Sequence, residues 1–321
     1  MSNDPLYPPC EPHSWGHLAV GDGHQIYWEE CGNPAGKPAL VLHGGPGSGC
    51  TPGWRRYFDP MRYRVILMDQ RGCGRSRPHA GDTVDALAAN TTAHLIADIE
   101  QLRRHLGIQC WLVLGASWGS TLALAYAARH AECVREMVLF SIATTTSFEI
   151  DWITRGVGIY FPAAWERFRD ALPAHLRDGD IATAYHRLLI DPDPATQERA
   201  ARAWCDWEAA IVALRADQKP HPRYADPRFR LGFARLVTLY WSQRAWLADG
   251  ELLAAVEGLG HVPAVLIHGR VDLCNPLVTP WRLARAWPEA RLVTIDQGGH
   301  DAGDEATSGA IVAALDGFAR S

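Results

Sequence analysis

The order of strand and helix patterns along the chain is the feature that most constrains its fold. Up to residue 143, short apolar runs such as 38–45 and 63–72 are typical of strands and alternate with amphipathic runs. One amphipathic run, at 91–107, predicts a helix that Asn90 should cap. Because such alternation is typical of a mostly parallel sheet with helices on both faces, we predict an α/β fold.

The pattern changes in the middle of the chain. Residues 144–252 contain no clear strand pattern and instead predict helices separated by proline-containing breaks. One of these helices should begin at Asp193 as its cap, with Pro194 in its first turn. Strand and helix patterns alternate again further on, so we predict a helical cap, 144–252, inserted into a core formed by 1–143 and 253–321.

A serine lies at a sharp turn between a predicted strand and a predicted helix. The sequence GASWG, from Gly115 to Gly119, fits the pattern G-x-S-x-G. A nucleophile elbow requires this context, because the tight turn lifts the serine side chain above the sheet. Ser117 is therefore the predicted nucleophile. The backbone N–H of Trp118 should face the negative charge that develops after attack.

A serine nucleophile needs a base, and the base needs an acid to orient it. In elbow-containing hydrolases both follow later strands, and the acid comes first. Asp272 and His300 follow successive predicted strands in that order. Asp296 and Asp301 are alternative acids, but both crowd His300 in sequence, so geometry favours Asp272.

A glycine-rich loop, LHGGPGSG at 42–49, follows an early predicted strand. Such a loop can bring a bare backbone N–H close to a reacting carbonyl. Gly45 is the predicted donor, and Gly44 is the alternative. The loop contains neither of the common phosphate-binding glycine patterns, so we do not expect it to bind nucleotides.

One carboxylate of the predicted cap lies among tryptophans. Glu208 follows Trp204 by four residues and precedes Ile211 by three, so the three share a face if the segment is helical. A carboxylate on a dry face needs a cation. In the alternative interpretation, Glu208 is a surface acid that pairs with Arg202 or Arg215.

Composition excludes several classes of function. A net charge of −5 and a pI near 6.3 do not favour nucleic acid or an anionic membrane as a partner. We expect neither a membrane span nor a signal peptide, because the apolar runs are short and the first residues are acidic and proline-rich. Eight scattered cysteines without a C-x-x-C pair predict reduced thiols and a cytoplasmic protein. No metal-ligand motif is present, and we predict neither a metal nor a cofactor.

Together these motifs resemble the proline iminopeptidases, which are α/β-hydrolase-fold serine peptidases with a helical cap that release an N-terminal proline. The resemblance implies a triad of Ser117, Asp272 and His300. It also implies that Glu208 binds the charged amino terminus of the substrate. The matching segments occur in the family's order: HGGPG (43–47), DQRGCGRS (69–76), NTT (90–92), GASWGSTLALAYA (115–127), WE (207–208), HGRVD (268–272) and GGH (298–300).

The chain departs from this family at the site expected to bind the amine. Val237, within ARLVTLYW, stands where the family typically has a second cap glutamate. Phe140 stands where the family tends to have arginine, and Ala116 replaces a glycine beside the nucleophile. The machinery for acyl transfer is intact, but the amine site has lost about half its charge. The predicted substrate-binding residues are Glu208, Trp204, Val237 and Phe140.

Two functions follow from these features. The first is a serine aminopeptidase that releases proline or a similar small residue, through an acyl-enzyme, from a small peptide or amide with a free amino terminus. The alternative is a hydrolase or acyltransferase on the same frame that acts on a non-peptide amide or ester, such as a specialised metabolite. Glu208 favours the first function, whereas Val237 and Phe140 favour the second. The sequence makes no prediction about the oligomeric state.

Overall fold

A computed structural model of the chain describes residues 4–213 and 220–320 and contains one eight-stranded sheet. The strand order is β1-β2-β4-β3-β5-β6-β7-β8. The pairs β1–β2 and β2–β4 are antiparallel, and all other neighbours are parallel. The strands are β1 (Ser14–Gly21), β2 (His24–Gly32), β3 (Lys37–Leu42), β4 (Tyr63–Asp69), β5 (Trp111–Ala116), β6 (Val134–Phe140), β7 (Ala264–Gly269) and β8 (Ala290–Ile295).

Apolar side chains cover both faces of this sheet. Successive residues of a strand point to opposite faces, so Leu40 and Val41 of β3 belong to different clusters. Strands β5 and β7 are buried along their whole length, as expected for central parallel strands. The helices that complete the core are α1 (Thr92–His105), α2 (Trp118–Ala127), α9 (Val278–Ala286) and α10 (Glu305–Phe318). The predicted α/β-hydrolase fold is confirmed.

Between β6 and β7 the described part of the chain contains helices and no strand. All but the last of these helices contribute to a separate apolar cluster, in which Phe168, Tyr185 and Trp204 are almost completely buried. Tyr240 ties them to the core, because its hydroxyl donates to Asn90 Oδ1 over 2.8 Å. The last helix packs on the core through Leu252. The helices are α3 (Ser147–Thr154), α4 (Pro162–Asp170), α5 (Ile181–Leu189), α6 (Pro194–Val212), α7 (Pro227–Ser242) and α8 (Glu251–Ala255).

Two predicted helix starts have different outcomes. Helix α6 begins as expected, since the Asp193 side chain accepts from two backbone N–H groups and Pro194 is the first helical residue. The assignment of Asn90 as the cap of α1 was wrong. Thr91 is the capping residue, and its side chain accepts from the His94 N–H. Asn90 is instead buried and bonded to the neighbouring loop and to Tyr240.

Within residues 4–213 and 220–320, no helix combines the length and apolar character needed to cross a membrane.

Candidate active site

Ser117 occupies the turn between β5 and α2. Its φ of 51° and ψ of −122° lie outside the regions that non-glycine residues favour, which is the strained geometry expected of a nucleophile elbow. Its N–H donates to Phe140 O over 3.1 Å. A Cβ at Gly119 would lie 2.0 Å from Leu42 O, so only glycine lets α2 approach β3 this closely. The turn is therefore held in a fixed position at the carboxyl end of the interior strand β5.

His300 and Asp272 are hydrogen-bonded to each other. His300 Nδ1 lies 2.9 Å from Asp272 Oδ2, while Asp272 Oδ1 accepts from the N–H groups of Cys274 and Asn275 at 3.0 and 2.9 Å. Because a carboxylate can only accept, Nδ1 must carry the proton, and Nε2 is left as the basic nitrogen. The structure thus brings together the predicted base and the predicted acid.

The alternative acids have other contacts. Asp296 is exposed and pairs with Arg270 over 2.9 Å. Asp301 is exposed at the cavity described below, and its Oδ1 accepts from the Gly303 N–H over 3.0 Å. Asp272 is therefore the acid that orients His300 in this geometry.

Charge coupling in the pair has a clear direction. Burial favours the neutral form of each side chain, but the attraction and hydrogen bond between them outweigh it. The pKa of His300 is raised, because Asp272 and, to a smaller extent, Glu208 stabilise its charged form. His300 in turn lowers the pKa of Asp272. The ionised carboxylate is the state that holds the imidazole in a basic tautomer.

A second buried histidine supports the acid. His268 Nε2 donates to Asn275 O over 2.8 Å, and its Nδ1 accepts from the Ile142 N–H over 3.0 Å. Burial lowers the pKa of His268, so its ring is neutral. It fixes the loop that supplies the amide donors to Asp272. Sequence analysis included His268 in the segment HGRVD but gave it no role, because the Ile142 N–H that it accepts from lies 126 residues away.

The glycine loop lies directly beside the elbow. Gly45 has a φ of +113°, and it lines the same cavity as Ser117. A Cβ built on Gly44 would lie 3.2 Å from Ser117 Cβ, so both candidate donors are close to the nucleophile. Trp118 is the first residue of α2, where backbone N–H groups have no partner inside the helix.

A buried network holds this loop in place. Gln70 donates through Nε2 to His43 O and accepts from the Trp118 indole, each over 2.9 Å. His43 accepts from the Gln70 N–H at Nε2 and donates from Nδ1 to Gly44 O over 2.9 Å. The segments HGG and DQRG therefore form one rigid unit with the residue that follows Ser117.

Two cavities meet at the candidate triad. The larger has a volume of about 570 Å³ and the smaller about 50 Å³. Apolar side chains, including Trp118, Ile150, Ile153 and Trp241, line the small cavity together with polar side chains such as Thr145, Glu149 and Asn275. Four of the described residues line both cavities: Gly45, Ser117, Glu208 and His300.

Glu208 reaches this junction from α6. It forms no ion pair with any described residue, and burial raises its pKa to about 7, although the charge of His300 partly offsets this effect. The Trp204 indole also lowers the pKa slightly, but its N–H completes no hydrogen bond of good geometry within the described residues. Arg202 pairs with Glu198 over 2.8 Å instead, and Arg215 lies outside the described residues. Glu208 is thus a half-buried carboxylate without an ion-pair partner among residues 4–213 and 220–320.

The other predicted substrate-binding residues have different surroundings. Phe140 ends β6 and lines the large cavity beside Trp54 and Tyr57, with ring centroids 5.8 and 6.3 Å away. Trp204 and Val237 are fully buried and are not among the described residues that line either cavity. The structure therefore brings Glu208 and Phe140 to the site. Trp204 and Val237 are instead buried behind the residues that line the cavities.

Several lining residues were missed by sequence analysis. Trp54 and Tyr57 follow the glycine loop in sequence, and only the path of the folded chain shows that they line the large cavity. Glu149 lines the small cavity, where the side chains and N–H groups of neighbouring threonines bind it. Its capping box with Thr146 was visible as T-x-x-E in the sequence. Arg223 lines the large cavity but belongs to no recognisable sequence motif.

One group of described residues could hold a metal ion. Ligand atoms of Asp272, Cys274 and His300 lie within 4.8 Å of one another. Because Asp272 and His300 already bond each other, a metal there would have to replace the contact that orients the base.

The fold and the site together define an α/β hydrolase with a serine–histidine–aspartate arrangement. The chain matches the family described as alpha/beta hydrolase fold over residues 37–307. It also resembles solved α/β structures: a thermophilic esterase from Thermogutta terrifontis has a TM-score of 0.65 at 18% identity, with 96% of this chain and 98% of that one covered. VinJ has a TM-score of 0.63 at 18% identity, with 97% and 99% covered. Similarity at this level of identity supports the fold alone.

Relatives that align over nearly the whole chain identify the family within the α/β hydrolases. A probable proline iminopeptidase from Streptomyces coelicolor is 52% identical, with 98% of each chain covered. Proline iminopeptidases from Xanthomonas citri and Arabidopsis thaliana are 44% and 43% identical over 98% and 96% of this chain, covering 99% and 80% of their own lengths. This chain belongs to the proline iminopeptidase family, as its motifs predicted.

Proposed function

We propose that this hydrolase is an aminopeptidase that releases an N-terminal proline, or a similar small residue, from short peptides and amides. One observation carries the proposal: Glu208, a half-buried carboxylate without an ion-pair partner among the described residues, lies at the junction that also contains Ser117 and His300. A substrate ammonium would supply the missing cation and would place the adjacent carbonyl at the nucleophile.

In the proposed mechanism Ser117, His300 and Asp272 form the catalytic triad. Ser117 Oγ attacks the scissile carbonyl carbon while His300 Nε2 takes its proton. Asp272 keeps the imidazole in the required tautomer and stabilises the imidazolium that forms. The oxyanion accepts hydrogen bonds from the N–H of Trp118 and from that of Gly45, with Gly44 as the alternative donor.

The intermediate then collapses and the carbon–nitrogen bond breaks. His300 gives its proton to the departing amine, and the N-terminal residue remains as an ester of Ser117. Water attacks this ester with His300 again as base, which releases the free amino acid and regenerates Ser117. The apolar side chains in the wall of the small cavity beside Ser117 suit a compact ring such as that of proline.

Location and domain roles belong to the same proposal. We place the protein in the cytoplasm, which agrees with eight cysteines that all lie in the described residues and form no disulfide. Residues 144–252 act as the cap in this proposal, since Glu208 reaches the junction from them. The substrate is small, and the chain needs neither a metal nor a cofactor for this chemistry.

A second candidate function is hydrolysis or acyl transfer on a non-peptide amide or ester. Val237 favours it, because this buried valine lies one helical turn from both Phe233 and Trp241, which line the cavities. An acid there would double the negative charge that faces an amine, and this chain lacks it.

Hydrolysis of four substrates by the purified protein tests the proposal: proline arylamide, alanine arylamide, N-acetylproline arylamide and a simple aryl ester. We expect proline arylamide to be cleaved faster than alanine arylamide. We expect N-acetylproline arylamide to be cleaved very slowly, because acetylation removes the cation that Glu208 would bind. Equal cleavage of the free and acetylated proline compounds would exclude amine recognition and favour the second function.

A further inference from the structure

The large cavity contains a cationic side chain that the proposed mechanism does not use. Arg223 lies in the short helical turn Pro222–Ala225, which precedes α7, and it is half-buried at the cavity wall. It does not line the small cavity, in contrast to Glu208, Ser117 and His300.

Arg223 is held in a defined position. Its Nη1 donates to the carbonyl oxygen of Ser48 in the glycine loop, and its guanidinium lies 4.9 Å from the centre of the Phe229 ring. A guanidinium fixed in this way loses little conformational freedom when it binds a ligand. Arg223 Nε donates to His221 Nδ1 over 3.4 Å, so the N–H groups of Nη2 and the second N–H of Nη1 stay available for a ligand.

Arg223 also forms no ion pair with an acid in the described part of the chain. Two neighbouring arginines are paired, Arg228 with Asp82 over 2.7 Å and Arg230 with Glu198. No carboxylate of residues 4–213 and 220–320 forms an ion pair with Arg223. Burial lowers the pKa of Arg223 because it disfavours the charged form, although a guanidinium remains charged at neutral pH.

The large cavity therefore has a negative side chain, Glu208, at one place and a positive side chain, Arg223, at another. Glu208 and His300 lie at the junction with the small cavity, whereas Arg223 lies on the cap wall of the large cavity next to His221. Asp301 also lines this cavity, but it forms no ion pair with Arg223. A cavity of about 50 Å³ cannot hold a peptide chain, so the leaving part of a substrate must extend into the larger one.

We propose that Arg223 binds the C-terminal carboxylate of a short peptide whose N-terminal ammonium is bound by Glu208. This inference rests on the proposed aminopeptidase activity and specifies its substrate class. The enzyme would select peptides of two or three residues with a free carboxylate over their amides. A planar guanidinium is well suited to this contact, because it can make two parallel hydrogen bonds to a carboxylate.

Matched peptides that differ only at the carboxyl end provide the test. We would measure kcat/KM for Pro-Ala and Pro-Ala-Ala with a free carboxylate and for the same peptides as C-terminal amides. The wild-type enzyme should prefer the acids. Arg223→Gln should lower the acid-to-amide ratio by about tenfold or more for the preferred length, mainly through KM. Arg223→Lys, which keeps the charge, should lower the ratio less.

Arg228→Gln is the matched control, since Arg228 lies in the first turn of α7, five residues further along the chain, and pairs with Asp82 away from the cavities. It should leave the acid-to-amide ratio at the wild-type value. If Arg223→Gln lowers kcat/KM equally for acids and amides, the inference is overturned. Arg223 would then have only a structural role, linking the cap to Ser48. A wild-type enzyme without preference for the acids would overturn it as well. If the proposed function itself fails, neither the acids nor the amides nor proline arylamide will be cleaved.

Discussion

Glu208 and His300 line the same junction between two cavities, and the charge of each shifts the pKa of the other. His300 lowers the pKa of Glu208, although burial outweighs this effect and leaves the value at about 7. Glu208 in turn helps Asp272 to raise the pKa of His300. The group proposed to bind the substrate amine and the group proposed to act as base therefore titrate together.

This coupling predicts the pH dependence of substrate binding. Below about pH 7 Glu208 is largely protonated and cannot attract an ammonium, so KM for proline arylamide should fall as pH rises through about 7. An aryl ester places no cation at Glu208, and its KM should not show this step. Steady-state kinetics of both substrates across this range checks the prediction. A step of equal size for both substrates would assign it to His300 or to the fold.

Ser117→Ala should abolish turnover and preserve the fold. Alanine tolerates the positive φ of this turn about as well as serine does, and loss of a triad nucleophile typically costs about 10⁶ in kcat. Activity on proline arylamide and the thermal unfolding midpoint would be measured together. Retention of more than a few per cent of the activity by a well-folded variant would exclude the serine mechanism.

Asp272→Asn should lower kcat by roughly 10⁴. Oδ1 accepts from two backbone N–H groups, so an asparagine would keep its oxygen there and turn its NH₂ towards His300 Nδ1. The imidazole would then have to adopt the wrong tautomer. Asp301→Asn is the matched comparison and should have a much smaller effect on kcat. The reverse order of severity would mean that the acid has been assigned wrongly.

Val237→Glu should improve cleavage of proline arylamide relative to the aryl ester. The position lies on α7 one turn from Phe233 and from Trp241, so a longer side chain can extend from beneath the wall towards the junction. Because Val237 is fully buried, the variant should also unfold at a lower temperature. Val237→Gln has a similar size without the charge. If it gives the same gain, the effect is one of shape and not of charge.

Sequence reasoning found the elements whose signals are local. The runs that became β3, β4 and α1 have strong periodicity, and Ser117, Asp272 and His300 each follow a strand in the expected order. It missed β1, an edge strand in which alternate residues are exposed and Trp15 faces solvent.

Features that depend on distant contacts could not be predicted in this way. Asn90 was assigned to a helix cap because the local pattern allows it, but its side chain instead bonds Tyr240, 150 residues away. The contact between Arg223 and Ser48 spans 175 residues. Trp204 was correctly expected on a dry face, but the pattern could not show that this face packs inside the cap instead of lining the cavity.

The most direct test of the account is the effect of Glu208→Gln on the ratio of kcat/KM for proline arylamide to that for the aryl ester. Both substrates use the same triad, and only the arylamide places an ammonium at the junction. Truncating one partner of a desolvated charge pair typically costs 2–5 kcal/mol, so we expect the ratio to fall by about 30-fold or more. An unchanged ratio, with equal losses on both substrates, would show that Glu208 supports the cap and recognises no amine, which would contradict the proposed aminopeptidase function.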